Sequence, residues 1–293
     1  MKTNAIVRIV LFSIAIITLL GILVISMTAG LYLVDFGSSE VSHSAQVLPM
    51  ASENETNISV VDADTIKNIE IDWVAGLITI SPDKNATGIT ISETCSSSKY
   101  QMVCKSSGGT LKIEYCEDSI SFPSFGITIK DTLSKDLTIT VPSDWICDTL
   151  EIDAASASVE AADLTIEEFD LDGASGICTL RDCHVGELDL DTASGDIRFS
   201  GSLDILDCDG ASANCEISVT NLPSRITVDT ASGNLDLTLP EDCGFTCSLS
   251  SLSGRFSSDY STTSHDGNYI YGDGSCRIDV SAMSGDVTIR KGA

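Results

Sequence analysis

Basic residues are scarce in this sequence. It has 16 Lys and Arg against 43 Asp and Glu, so its formal net charge is −27 at pH 7. A nucleic-acid site needs clustered Lys and Arg against the phosphates, and this composition therefore argues against nucleic acid as a partner. The same charge disfavours docking of the folded domain onto anionic lipid. Cationic partners, divalent ions and simple solubility stay open.

Enzyme signatures and metal-site spacings are also missing. The sequence contains no P-loop, no dinucleotide-binding fingerprint and no zincin motif. It has no CxxC pair, and its histidines are only His43, His184 and His265, which argues against zinc. We therefore predict no catalytic residue, no cofactor and no metal ligand, and we expect a protein that is not an enzyme. The binding residues stay unassigned.

Proline and aromatic residues are few. Six prolines and an aromatic content of 5% accompany 22 glycines and a hydrophobic content of 43%. This balance is typical of many short strands joined by tight turns, and not of a disordered chain.

The N-terminus carries a long apolar run. Residues 9–34 contain no charged residue, and these 26 residues exceed the roughly 20 that span a bilayer. Lys2 and Arg8 precede the run and acidic residues follow it. The positive-inside rule then predicts residues 1–8 in the cytoplasm, a transmembrane signal-anchor at 9–34 and the rest of the chain outside. The alternative is a cleaved signal peptide, which exports the same domain.

A polar linker and a folded domain follow the apolar run. Residues 35–60 are polar and rich in serine, which predicts a flexible stalk. Alternating strands begin with IKNIEIDWVAGLITISPD, which has a predicted turn at Ala75-Gly76. We therefore place the folded domain at residues 61–293.

The second half of the chain repeats one short motif, of which LDTASGDIRF at residues 190–199 is an example. Aligned on the serine, successive copies lie 19, 19, 18, 20, 21 and 31 residues apart. A nearly constant period of this size is the signature of a solenoid, in which each copy forms one coil. The aligned serines are Ser156, Ser175, Ser194, Ser212, Ser232, Ser253 and Ser284.

The columns of the repeat predict strands and no helices. Apolar residues recur four places before the serine and three and five places after it, so each coil has two strands with one buried face. No stripe with a 3.6-residue period survives across a copy. The predicted fold is all-β, a single-stranded parallel β-helix or β-solenoid, with A-S-G at a corner. Stacked coils lie about 4.8 Å apart, so we expect the serines to form a hydrogen-bonded ladder.

These motifs resemble those of a known family. The order IEIDWVAGLITI, then LTITVPSDW, then repeated copies of D-T-A-S-G-D is similar to the bacterial putative-adhesin family, a β-strand-repeat domain of unknown function. The resemblance covers residues 61–293. It implies a right-handed parallel β-helix that is frequently tethered to a membrane, and it brings no catalytic residue. Ala157 and Ala213 depart from the corner glycine of the family.

Eleven cysteines are an unusual number for such a domain. Cys178, Cys208 and Cys215 fall in buried columns, where cysteine acts as a small core residue. Cys178 and Cys215 lie two coils apart, too far for a disulfide. Two pairs remain as disulfide candidates, namely Cys95 with Cys104, as a hairpin staple, and Cys243 with Cys247.

Two columns of acidic residues precede the serine, one three places and the other five places before it. Both point outward, because the residue between them points inward. We expect the inner row to accept hydrogen bonds from the corner backbone, and the outer row to be a shallow candidate site for Ca²⁺. The inner row is Asp153, Asp172, Asp191, Asp209 and Asp229, and the outer row is Glu151, Asp170, Asp189 and Asp207, with Asp279 further on.

The interval between Ser253 and Ser284 is longer than a coil and holds Tyr260, Tyr269 and Tyr271. Such a loop is either a contact surface or a cap on the last coils, and we favour the cap.

These features predict a membrane-anchored, extracytoplasmic and non-catalytic β-solenoid that acts as a cell-surface binding, adhesin-like or spacer module. Its expected partners are the membrane, through the N-terminal helix, and an envelope or surface ligand, either protein or glycan. One alternative is an envelope-stress signalling partner that acts by protein contact. Another is a polysaccharide-cleaving β-helix enzyme, but that needs a cluster of basic residues, whereas those of the repeats are scattered. They are Arg181, Arg198, Arg225 and Arg255.

Overall fold

The computed structural model describes residues 46–47, 57–95, 101–116 and 134–292. Within these ranges the chain is all-β, as predicted, apart from one 3-10 turn at Ala63–Thr65. No helix in them is long and apolar enough to span a membrane. The predicted cytoplasmic segment (1–8) and transmembrane segment (9–34) lie outside the described residues, as does most of the predicted stalk (35–60).

The described residues contain eighteen strands, which form one continuous sheet. The longest strands, β3, β8 and β10 below, continue through the corners of the coils. In chain order the strands are β1 (Gln46–Val47), β2 (Asn57–Val61), β3 (Asn68–Asp83), β4 (Ile89–Glu93), β5 (Val103–Ser107), β6 (Thr110–Glu114), β7 (Leu137–Pro142), β8 (Ile146–Ala162), β9 (Thr165–Ser175), β10 (Cys178–Val219), β11 (Arg225–Ser232), β12 (Leu235–Leu239), β13 (Phe245–Ser253), β14 (Phe256–Ser258), β15 (Thr263–His265), β16 (Asn268–Tyr271), β17 (Cys276–Ser284) and β18 (Val287–Lys291).

The middle of the molecule is a parallel solenoid. Strands β8 to β12 pair in parallel with the equivalent strands of the next coil. Ile152, Leu171 and Leu190 therefore lie side by side, and Ser175 lies beside Ser194. The solenoid predicted from the repeat is confirmed, with one strand before and one strand after each A-S-G corner.

The core is filled from both strands of each coil. Leu190, Ile197 and Phe199 stand four residues before, three after and five after Ser194, and all three are buried. Their chain neighbours face solvent or lie half-buried, because successive side chains of a strand point to opposite faces. Apolar burial along the whole stack is the main stabilising contribution.

Glycine at the corner is required by close approach of the backbones. Gly195 has φ 152°, and a Cβ atom there would lie 2.0 Å from the carbonyl oxygen of Gly176 in the neighbouring coil. Ala157 and Ala213, which replace the corner glycine, are buried and are not among the described residues with positive φ. The corner therefore has two backbone forms, and alanine occupies the one that an L-residue adopts without strain.

An additional coil precedes the serine repeats. In β3, Ala75 and Gly76 lie level with Ser156 and Ala157 of β8, so the predicted turn at this point is another corner. On the outer side of β3, strand β6 pairs in parallel with the first half of β3, and strand β7 pairs in parallel with the second half of β3. The end coil of the stack is therefore formed by β6 and β7. These strands come later in the chain than β3, the strand of the coil that they cover.

The C-terminal end also departs from chain order. Strands β17 and β18 pair in parallel with β11 and β12 on one side and with β13 and β14 on the other. The last coil along the chain is therefore inserted as the second-last coil in space. Residues of β13 and β14 form the end of the stack.

Antiparallel strands cover both ends. Strands β5 and β4 pair with β6 and β7, and β1 and β2 then pair with β5 and β4. At the other end β16 pairs with β13, and β15 pairs with β16. Because an open strand edge invites pairing with another chain, these covers protect the stack. Since β2 is Asn57–Val61, the sheet already includes the last residues of the predicted stalk.

The tyrosines after Ser253 close the C-terminal coils. The Tyr260 side chain is buried, and its hydroxyl donates to the carbonyl oxygens of Leu239 and Pro240, 2.9 Å from each. Tyr269 stacks on Phe256 with ring centroids 3.9 Å apart. These contacts favour the cap over the contact surface.

Candidate functional site

The two acidic rows lie side by side on one outer face of the coil stack. The first coil extends them, because Glu70 and Asp72 lie level with Glu151 and Asp153. We call this surface the acidic face. Its inner row is Asp72, Asp153, Asp172, Asp191, Asp209 and Asp229, and its outer row is Glu70, Glu151, Asp170, Asp189 and Asp207, with Asp279 beyond Thr227.

Partial burial and stacking raise the pKa of several of these carboxyl groups. The pKa of Asp209 rises to about 7 and that of Asp170 to about 6, first through burial and then through neighbouring aspartates. Burial, followed by like charge, also raises the pKa of Asp153, Asp189, Asp191 and Asp207. Cations near this face would reduce the repulsion that the folded state carries.

The acidic face is a surface of rows and not a metal cage. In the described part of the chain, no group of three or more His, Cys, Asp or Glu side chains is placed to hold a metal ion. The calcium hypothesis for the outer row therefore finds no preformed multidentate site among these residues, although a diffuse attraction for cations remains.

Inter-coil side-chain hydrogen bonds run along a different column from the predicted one. The aligned serines are exposed, and the Ser194 hydroxyl donates to the carbonyl oxygen of Ala174 at 3.5 Å. Two residues after the serine, the amide of Asn214 donates to Asp196 at 3.1 Å and that of Asn234 donates to Asn214 at 3.2 Å. Amides suit this column because each donates and accepts at once.

The corner backbone is bonded to the same column. The N–H of Asn234 donates to Asn214 at 3.2 Å, and the N–H of Asp286 donates to Asn234 at 2.9 Å. The N–H of Arg255 donates to Asp286 at 2.8 Å. The hydrogen bonds predicted between the corner backbone and the inner acidic row are not formed in the described residues. At the end of that row the Asp72 carboxylate is paired with Lys112 at 3.1 Å.

The arginines of the repeats are dispersed. Each of the four lies on a different coil, and three of them form ion pairs with carboxylates. The pairs are Arg181 with Glu160 at 3.4 Å, Arg198 with Asp196 at 2.8 Å and Arg255 with Asp286 at 3.3 Å. Such positions do not supply the convergent cluster of positive charge that polysaccharide cleavage would use.

A buried ion pair near the N-terminal end was not predicted from the sequence. Lys135 and Glu93 form a hydrogen-bonded ion pair, and both are nearly inaccessible to solvent. The ammonium group also donates to the carbonyl oxygen of Tyr115 at 2.5 Å and lies 4.7 Å from the centre of the Trp73 ring. The backbone N–H of Met102 donates to the Glu93 carboxylate at 2.8 Å. Long-range contacts of this kind leave no local signal in the sequence.

The two predicted disulfide pairs are not formed. Cys104 carries a free, buried thiol, as do Cys243 and Cys247. Cys95 follows β4 whereas Cys104 lies in β5, and these strands do not pair with each other, so the predicted hairpin between them was wrong. Burial raises the pKa of both the Cys104 and the Cys247 thiol to about 12.

Three solved structures align with most of this chain at low sequence identity and with TM-scores below 0.5. A putative cell adhesion protein from Clostridium sporogenes ATCC 15579 is 11% identical over 81% of this chain and 99% of its own, with a TM-score of 0.38. A putative adhesin from Bacteroides fragilis NCTC 9343 is 14% identical over 82% of this chain and 98% of its own, with a TM-score of 0.47. A putative lipid binding protein from Parabacteroides distasonis ATCC 8503 is 13% identical over 82% and 97%, with a TM-score of 0.31.

The family comparison covers most of the chain. No curated protein matches the sequence. The model of the Toastrack DUF4097 family matches residues 66–290, which include the additional first coil, the serine repeats and the inserted C-terminal coil. The resemblance to a β-strand-repeat domain of unknown function is thereby confirmed, and the chain belongs to the Toastrack DUF4097 family.

Proposed function

We propose that this protein is a non-catalytic binding module of the cell surface that contacts a positively charged partner through its acidic face. The observation that carries this proposal is the pair of in-register carboxylate rows along a stack that is covered at both ends. Burial first, and the neighbouring aspartates after it, raise the pKa of Asp209 and Asp170, and a cationic surface would relieve the like-charge part of this effect. The partner is an envelope protein segment or a surface glycan with amino groups.

We further propose that residues 9–34 anchor the chain as a single transmembrane helix. Residues 1–8 then lie in the cytoplasm, and the polar residues 35–60 link the anchor to the solenoid and contribute β1 and most of β2 to its cover. The solenoid lies outside the membrane with the right-handed winding that the family resemblance implies. Protease added to intact cells should remove a tag at the C-terminus and leave a tag at the N-terminus. Protection of the C-terminal tag would contradict this topology.

The binding proposal is tested on the full chain in detergent, with variants in which aspartates are replaced by uncharged asparagines. Asp172→Asn, Asp191→Asn and Asp209→Asn together should weaken binding of a ten-residue lysine peptide, and of material captured from an envelope extract, at least tenfold. The matched control is Asp163→Asn, Asp182→Asn and Asp266→Asn, which makes the same three Asp-to-Asn replacements at exposed positions outside the acidic face.

The control aspartates all have positive φ, which asparagine tolerates, so this variant should fold and bind as the parent does. Equal weakening in both variants would mean that net charge, and not the acidic face, governs binding. Envelope-stress signalling by protein contact remains the alternative use of the same surface. The dispersed arginines favour either reading over a polysaccharide-cleaving enzyme.

A further inference from the structure

Two buried thiols face each other at one corner of the solenoid. The sulfur atoms of Cys208 and Cys215 are 3.4 Å apart, and the two residues are 1% and 2% exposed. Cys208 stands four residues before Ser212 and Cys215 three residues after it, so the pair joins the two strands of a single coil across the corner. Contact between the sulfurs brings the pair within a short movement of bonding distance.

The pairing is specific to this coil. Among the aligned copies, the same two columns hold Leu190 with Ile197 in the preceding coil and Val228 with Leu235 in the following one. Cys178 occupies the later column of another coil, but its counterpart there is Leu171, so it has no thiol facing it across the corner. Among the aligned corners in the described part of the chain, these two columns therefore hold one pair of facing thiols and, at Cys178, one cysteine opposite a leucine.

We propose that Cys208 and Cys215 are a disulfide-forming site that locks this corner when the chain folds in the presence of a small-molecule or protein disulfide oxidant. A thiolate of the pair attacks the oxidant and releases one oxidant thiol. The second thiolate then attacks the mixed disulfide and releases the other oxidant thiol. The pair loses two protons and two electrons, and the oxidant disulfide is reduced to two thiols.

The bond forms during folding and not in the finished core. The hydrogen-bonded contact with Cys215, followed by burial, holds the pKa of the Cys208 thiol well above its usual range, which suppresses the thiolate that exchange requires. Native reduced protein should therefore react slowly with disulfides and alkylating agents. The unfolded chain exposes both thiols, and refolding brings them together in the correct register.

Tryptic mapping of the full chain tests this directly. The chain in detergent is denatured, fully reduced, refolded in a buffer of reduced and oxidised glutathione, and alkylated in denaturant. Cleavage gives a peptide of residues 199–225, in which Cys208 and Cys215 are the only cysteines, and a peptide of residues 136–181 with Cys147 and Cys178.

The expected result is that the first peptide lacks two hydrogen atoms and takes no alkyl group, whereas the second peptide takes two. Two alkyl groups on the first peptide, or equal oxidation of both peptides, would overturn the proposal.

A second measurement compares melting temperatures. The oxidised chain should melt about 5 °C or more above the reduced chain, because the crosslink restricts the unfolded state. The variant Cys208→Val with Cys215→Leu copies the following coil, so its core stays filled, and its melting temperature should not respond to oxidant. A difference that persists in this variant would assign the effect to other cysteines and overturn the locking role.

Discussion

At the residue scale, the buried pair of Lys135 and Glu93 shows how the end of the stack is fixed. A charge in a low-dielectric core is tolerated only when it is paired and hydrogen-bonded. Here the pair joins Glu93, the last residue of β4, to Lys135, which precedes β7, and Trp73 of the first coil donates its indole N–H to the Lys135 carbonyl oxygen at 3.0 Å. One ionic contact therefore connects the cover, the end coil and the first coil.

Removing one partner of this pair should cost more than removing both. We expect Lys135→Met to lower the free energy of unfolding by about 3–5 kcal/mol, because it leaves Glu93 buried without its counter-charge. Lys135→Met combined with Glu93→Gln should lose less, since the glutamine stays neutral and still accepts from Met102. Urea unfolding of the three proteins measures this. A double variant at least as unstable as Lys135→Met alone would contradict it.

The Tyr260 hydroxyl offers a smaller test at the same scale. Tyr260→Phe leaves the carbonyl oxygens of Leu239 and Pro240 without this donor and should cost about 1 kcal/mol. Tyr269→Phe is the control, because that side chain contributes through its stacked ring and the change keeps the ring. Thermal unfolding should show a lower melting temperature for the first variant alone, and equal effects would contradict the capping role of the hydroxyl.

At the scale of the element, the backbone form of each corner determines whether glycine or alanine is tolerated there. The two corner forms predict stability losses of different size for Gly195→Ala and Ala213→Gly. Gly195→Ala should lower the free energy of unfolding by about 2 kcal/mol or more, because its Cβ would clash with the neighbouring carbonyl oxygen at a positive φ. Ala213→Gly should cost about 1 kcal/mol, mainly through chain entropy. Chemical denaturation of both variants gives the ranking, and equal losses or the reverse order would contradict the two corner forms.

The same elements show what the sequence could and could not predict. Alternating burial around Ser194 is a local pattern, so the strands, the corner and the acidic rows were all predictable from it. The first coil was missed as a repeat because Ala75-Gly76 lacks the serine on which the copies were aligned. The order of the end coils and the partner of Lys135 depend on which distant segments meet. A periodic pattern carries no information about that.

At the scale of the whole molecule, the acidic face makes stability depend on pH. Folded carboxyl groups with raised pKa bind more protons than the unfolded chain between their ordinary value of 3.8 and their folded values, about 7 for Asp209 and about 6 for Asp170. The free energy of unfolding must then fall as pH rises through this window. The stack should accordingly be more stable near pH 5 than near pH 8.

The expected difference is about 1 kcal/mol, because the carboxyl groups are only partly buried and solvent and salt screen their repulsion. Melting temperatures between pH 5 and pH 8 at constant ionic strength measure it. Asp209→Asn removes the group with the highest of these pKa values and should flatten the profile, whereas Asp182→Asn, at an exposed position of β10 outside the acidic face, should leave its slope unchanged. Raising the salt concentration at pH 8 should recover part of the lost stability, since screening weakens the same repulsion that protonation removes. A profile that instead rises towards pH 8 would mean that ion pairs such as Arg198 with Asp196 outweigh the acidic face in the energetics of the stack.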